Sequence, residues 1–294
     1  MNSTEDDQWL LLKTVSIWAS LSYGLFGIFS NVFAIMVLLN PKFLAYAFVV
    51  YIINILVADI GSGVSYAVYW NYLFLKTDGR IDYCRFFCFL SHCTYSVSNL
   101  SLILFAMERF LLLNFPIRFK PFSRRIVTIL MIMTWIISLI VNIPEYYKFE
   151  ENIVNGETHC MLRPQNNRMA VMISLVEFGW EMIMPVPILI FLNGGILFAL
   201  FQRKSNKKKQ ASNEGGIAKA LVISCILQII CPAPRSVMSL LIRYNIVDIP
   251  TQLHLAIHDT ITIHVEHFHL YLRCVRKLLL ASLSNEQFIL ARCH

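Results

Sequence analysis

The chain has 294 residues, of which 57% are hydrophobic, 13% aromatic and only 15% charged, with a formal net charge of +7. A soluble domain carries about a quarter of its residues as Asp, Glu, Lys and Arg, and a disordered chain is poor in apolar and aromatic side chains, so both classes are excluded. The mean hydropathy of +0.60 fits a polypeptide that lives in a bilayer.

In chain order, seven stretches have the roughly 20 apolar residues that a helix needs to span hydrocarbon. They run from Val15 to Leu39, Ala45 to Leu73, Cys84 to Leu113, Ile126 to Pro144, Met169 to Phe201, Ile217 to Ile242 and Thr251 to Leu272. Short polar connections, Lys76 to Asp82 and Arg118 to Arg125, leave neighbouring helices antiparallel. From Leu272 to Leu283 bases alternate with apolar residues, the pattern of a short amphipathic helix lying on the membrane. The expected fold is therefore an all-α membrane protein, a seven-transmembrane helix bundle over 15–272, with an amino terminus over 1–14 and an eighth helix and short tail over 273–294. Cys274 or Cys293 is the candidate for acylation.

With the amino terminus outside, the inner loops hold about twice as many Lys and Arg as the outer ones, the bias of cytoplasmic loops. Arg203, Lys204, Lys207, Lys208 and Lys209 lie between segments five and six, and Arg273, Arg276 and Lys277 follow segment seven. The first twelve residues contain Glu5, Asp6 and Asp7 but no base. They also hold an Asn2-Ser3-Thr4 glycosylation acceptor, a triplet that needs lumenal exposure and also arises by chance. Without a basic start or a small-residue cleavage site, a removable signal peptide is not expected.

A charge inside a spanning segment costs several kcal/mol and marks function by default. Such residues are Asp59 in segment two, Glu108 and Arg109 ending segment three, Glu177 and Glu181 in five, Arg235 in six, and Asp259 and Glu266 in seven. Arg109 is a guanidinium at a helix end that can turn toward Glu108 or toward another helix, which makes a two-position switch possible. Pro232 and Pro234 free backbone carbonyls in segment six, and Pro185 or Pro187 bends segment five.

With Asn31, Ala58-Asp59, Glu108-Arg109-Phe110, Trp135 and Cys231-Pro232-Ala233-Pro234 in this order, the chain resembles a divergent rhodopsin-like (class A) G-protein-coupled receptor over nearly its whole length. The resemblance implies a disulfide between Cys84, 25 residues before Arg109, and Cys160 in the loop after segment four. On the residues alone, Cys88 and Cys93 read as buried thiols. The resemblance further implies coupling through Glu108, Arg109, Phe110, Pro116, Ile117 and Tyr271 to a heterotrimeric G protein, with arrestin as a second cytoplasmic partner. Glu214 stands where the family can lock the arginine, although Gly215 and Gly216 also suit a solvated loop. Asp59 and Ser98 resemble part of the family's sodium site, but His267 replaces its amide and Glu266 adjoins it, so a weak-sodium, proton-dependent polar core or a plain hydrogen-bonded one is expected with Asn31. Pro232 stands where the family usually has Trp, and of its Asn-Pro-x-x-Tyr only Tyr271 survives. Helix six would then hinge at a backbone weakened around Cys231, Pro232 and Pro234.

The ligand side is less defined. Ser91, 18 residues before Arg109, stands where the family's amine receptors carry aspartate, which disfavours an amine, and a segment seven without lysine excludes a retinal Schiff base. Glu177 and Glu181 with Arg235 either bind a zwitterionic or peptide ligand or pair with one another, and the loop acids Glu145, Glu150, Glu151 and Glu157 favour a basic peptide or are merely solvated. The function expected is a receptor for an extracellular ligand, a peptide favoured, or a constitutively signalling or non-coupling relative. The alternative is a histidine-rich zinc membrane protein or hydrolase, since His254 and His258 stand at i and i+4, as in seven-helix receptors of the adiponectin type. That reading needs ligands from another helix and the opposite orientation. A transporter is disfavoured by the lack of a repeated half. No nucleophile motif, phosphate loop or nucleic-acid module is visible, so no enzyme activity, cofactor, resident metal or nucleic-acid partner is expected.

Overall fold

The computed structural model describes residues 18, 22, 24–44, 46–74, 81–147, 149–154, 157–162 and 168–206. Its elements are α1 (Gly24–Leu38), the single turn α2 (Pro41–Leu44), α3 (Phe48–Phe74), α4 (Ile81–Asn114), α5 (Arg124–Tyr146), β1 (Phe149–Val154), β2 (Glu157–Leu162), α6 (Arg168–Phe178), a π turn (Gly179–Ile183) and α7 (Pro185–Asn206). These correspond to segments one to five of the sequence pattern. Segments six and seven and the amphipathic stretch lie outside the described residues.

Four helices are long and apolar enough to cross a membrane, in Phe48–Ser65, Arg85–Asn114, Arg124–Tyr146 and Leu175–Ala199, and α1 is a shorter apolar helix. The pattern on α5 shows what solvent these helices expect. Ser123 caps it, its hydroxyl accepting from the Ile126 N–H at 3.4 Å. Its buried face then runs Val127, Met131, Thr134, Ser138, Asn142 and Glu145, spaced by three and four residues. Its opposite face exposes Ile129, Ile132, Ile136, Ile140 and Ile143. Polar residues inside and isoleucines outside invert the arrangement of a soluble helix and suit one wrapped in lipid.

The 34-residue α4 is the hub: it packs against α3, α5 and α7, and β1 lies against it as well. At about 1.5 Å per residue it is roughly 50 Å long, more than the hydrocarbon core, so it tilts or extends beyond it. Small residues bring its neighbours close. A Cβ on Gly61 of α3 would stand 2.8 Å from the Thr94 methyl, and one on Gly195 of α7 would overlap the Phe110 ring. Apolar packing fills the half of the bundle that carries Arg109, where Tyr51, Phe105, Val127, Met131 and Ile196 form one cluster and Leu102, Ala106, Leu189 and Leu192 another. Hydrogen bonds then fix the rotation of each helix. Asn54 donates to the Ser101 hydroxyl at 2.8 Å and accepts from the Trp135 indole at 2.9 Å, joining α3, α4 and α5.

Three local features depart from the sequence pattern. α5 continues past Pro144 to Tyr146, so Glu145 is a buried helical residue, 3% exposed, and not a loop acid. The connection after α5 is a short antiparallel hairpin in which Glu151 pairs with Cys160, a local addition to the all-α bundle. The bend in segment five is a π turn, where the Met184 N–H reaches back to the Gly179 carbonyl at 2.9 Å. Pro185, which follows, has no N–H to continue the α ladder, and the extra residue absorbs that gap. Of the two prolines that stood as candidates for the bend, Pro185 is buried beside this turn and Pro187 is exposed.

Replacing Gly195 by Val sets branched carbons into the Phe110 ring. The expected cost is about 1–3 kcal/mol, read as a lower thermal midpoint of the detergent-solubilised protein, and an unchanged midpoint would show that α4 and α7 are not in contact here.

Candidate functional site

The described residues bring sequence-selected groups together in two places on α4. At the end near Asn114, Arg109 lies with its guanidinium carbon 5.3 Å from the Phe48 ring centre and 5.2 Å from that of Phe105. Two aromatic faces can hold a partly desolvated cation electrostatically. The two-position expectation had Glu108 as one partner of Arg109, and the geometry differs. Among the described residues no salt bridge joins the pair, and the Glu108 carboxylate, 3% exposed, accepts from the Phe122 backbone N–H at 3.0 Å. Glu108 thus pins the connection that leads into α5, while rings hold the arginine.

Phe110 lies 5.6 Å from the Phe191 ring and 6.4 Å from that of Phe115. Beyond it the chain turns at Pro116, and Ile117 is 98% exposed. The Arg124 guanidinium donates to the Leu44 carbonyl at 3.0 Å, tying this turn to the end of α2.

Higher on α4, the Ser98 hydroxyl donates to Asp59 at 3.0 Å, so these two members of the expected polar core meet. Asn31 is buried on α1. Ser91 spends its hydroxyl on the Cys88 carbonyl of its own helix at 2.8 Å, which leaves a weaker handle for a ligand than the sequence suggested. Cys88 and Cys93 are free, buried thiols. The side chains of Cys84 and Cys160 are outside the described set, as are Asn2, Glu214, Cys231, Pro232, Pro234, Arg235, His254, His258, Glu266, His267 and Tyr271.

The second place was not foreseen. His92 sits one residue beyond Ser91, 5% exposed, with Nδ1 at 2.9 Å from Glu181 and 3.9 Å from Glu177, and Nε2 at 3.9 Å from Glu145. The two acids of segment five therefore face a histidine of α4 and an acid of α5. Glu181 stands in the π turn, four residues after Glu177, so the two acids share one face and both turn inward. Below the cluster, the Ser96 hydroxyl accepts from Asn142 at 2.9 Å and from the Trp180 indole at 3.0 Å, binding the same three elements. The available signals were a histidine inside an apolar span and an acid one residue past a proline that need not end a helix.

The family described as 7 transmembrane receptor (rhodopsin family) matches residues 30–275. The chain is also 23% identical to the adenosine receptor A3 of Ovis aries, across 79% of this chain and 79% of that relative.

Replacing Ser96 by Ala removes the acceptor shared by the buried Asn142 and the half-buried Trp180. The expected loss is about 1–3 kcal/mol of stability, seen as a fall in the thermal midpoint larger than that caused by Thr128→Ala, whose exposed hydroxyl donates to the Arg124 carbonyl of its own helix at 3.0 Å.

Proposed function

Since the chain belongs to the rhodopsin-like family of seven-transmembrane, G-protein-coupled receptors, a multi-pass membrane family that is not enzymatic, we propose that it carries an extracellular ligand signal to heterotrimeric G proteins through Arg109. The observation that carries this reading is the seating of Arg109 between the Phe48 and Phe105 rings at the end of α4. Ring faces attract a cation without the directional hydrogen bonds of a carboxylate, so the side chain can leave them for a better partner. A carbonyl or carboxylate on an inserted segment of a transducer is such a partner. The exposed Ile117 beside Pro116 supplies an apolar contact for the same docking. A basic inner rim, including Arg203 and Lys204 at the end of α7, attracts anionic lipid and orients the partner. Arrestin docks on the same face, the amino terminus faces the cell exterior, and the receptor works at the cell membrane.

The ligand proposed is a basic peptide. Support comes from the hairpin, which carries Glu150 and Glu151 on β1, the strand beside α4, and Glu157 on β2. A bridge from Cys84 to Cys160 would hold that hairpin to the bundle in an oxidising compartment. The relative's name raises a nucleoside as a second ligand to screen.

In cells expressing the chain, Arg109→Ala is expected to reduce G-protein activation by at least about fivefold, the lower end of coupling between linked sites. Equal signalling at equal surface expression would remove Arg109 from the pathway. For topology, tags on the two termini are expected on opposite sides of the membrane, and finding both on one side would refute the seven-span arrangement proposed for the whole chain.

A further inference from the structure

The cluster around His92 remains unused by this reading. We propose that His92, Glu145 and Glu177 form a binding site for a divalent transition-metal ion of the zinc class, with Glu181 positioning the imidazole. The proposal does not depend on G-protein coupling, and its test reads binding, so the two can fail separately.

Three features converge. First, one imidazole nitrogen and two carboxylate oxygens, one ligand atom from each residue, lie within 4.8 Å of one another. In a tetrahedral site with bonds of about 2.0–2.2 Å, ligand atoms stand roughly 3.3–3.6 Å apart. Side-chain rotation of two glutamates covers the difference. Second, the imidazole is already oriented. The 2.9 Å contact seats Nδ1 against Glu181, so the nitrogen available to a metal is Nε2, which lies 3.9 Å from Glu145, any proton on it being released as the ion binds. A carboxylate behind a histidine, with the other nitrogen facing a second acid, is the arrangement that fixes tautomer and basicity in metal sites. Third, the charges call for a cation. Three carboxylates surround one histidine, which supplies at most a single positive charge, and Glu145 and Glu181 are 3% and 6% exposed. Buried charge is retained when paired or when it coordinates a metal.

The donor set selects the ion. Mg²⁺ keeps its waters and prefers oxygen ligands, whereas an imidazole with carboxylates suits Zn²⁺. Because the donors come from α4, α5 and α6, with Glu181 from the π turn, one ion would clamp three parts of the bundle.

The test uses the full chain, purified in detergent and stripped of metal, with Zn²⁺ alone as the probe and Mg²⁺ as the control. Expected are one Zn²⁺ per chain that survives His254→Ala, and a thermal midpoint raised by Zn²⁺ and not by Mg²⁺. Glu177→Gln, at the least buried donor, and His92→Ala should each weaken Zn²⁺ binding at least tenfold, and Glu181→Gln by about 10–100-fold as a positioning residue. Co²⁺ in place of Zn²⁺ should give a visible absorption that Glu177→Gln abolishes. Should His92→Ala fail to fold, Glu177→Gln and Glu181→Gln decide. Zinc binding unchanged in both, lost only in His254→Ala, or a midpoint indifferent to Zn²⁺ would overturn the site.

Discussion

A polar atom inside hydrocarbon has no water to turn to, and this constraint orders the rest of the molecule. The outward faces of the helices can be apolar at no cost, because lipid tails are as apolar as Ile or Phe. The bundle is therefore specified by its inward hydroxyls, amides and carboxylates. Asn54 with Ser101 and Trp135, Asn142 and Trp180 with Ser96, and Ser98 with Asp59 each join different helices. Interhelical hydrogen bonds in membranes average only about 0.6 kcal/mol each, but a helix turned by a quarter would orphan several at once.

α4 gathers these links, and its two halves do different physical jobs. Toward Asn114 the contacts are largely aromatic and apolar, and Arg109 rests against rings. Such contacts tolerate sliding, which suits a surface that must change shape for a partner. Toward Cys84 the contacts are ionic and hydrogen-bonded, centred on His92 and its three acids. Those demand fixed geometry, which suits recognition of something small and charged. The π turn belongs to this second half. It carries Glu181, the histidine's shortest contact.

What could be read from the residues followed from periodicities and costs that act locally. The length of an apolar run fixes where a helix spans, and five of the expected segments reappear as α1, α3, α4, α5 and the α6 to α7 pair. The price of burying a charge singled out Asp59, Arg109, Glu177 and Glu181, because that cost is paid whatever the fold. The order of landmarks such as Asn31, Asp59, Arg109 and Trp135 carried the family, since spacing along a helix is a property of the chain alone.

Partners were decided only in three dimensions. Nothing in the chain says that Glu177 and Glu181 meet His92, because they lie 85 and 89 positions beyond it and their encounter depends on how α4 and the π turn rotate against each other. Glu145 is helical rather than in a loop because a proline inside a membrane helix does not have to end it: neighbours can satisfy the freed carbonyl. The arginine's seat on Phe48 and Phe105 was equally hidden, since ring faces leave no charge pattern to detect. The sequence by itself determined which residues cannot face lipid, a matter of transfer free energy per residue. Which of them face each other was left to the packing of whole helices, whose rotation is set by many weak contacts acting together.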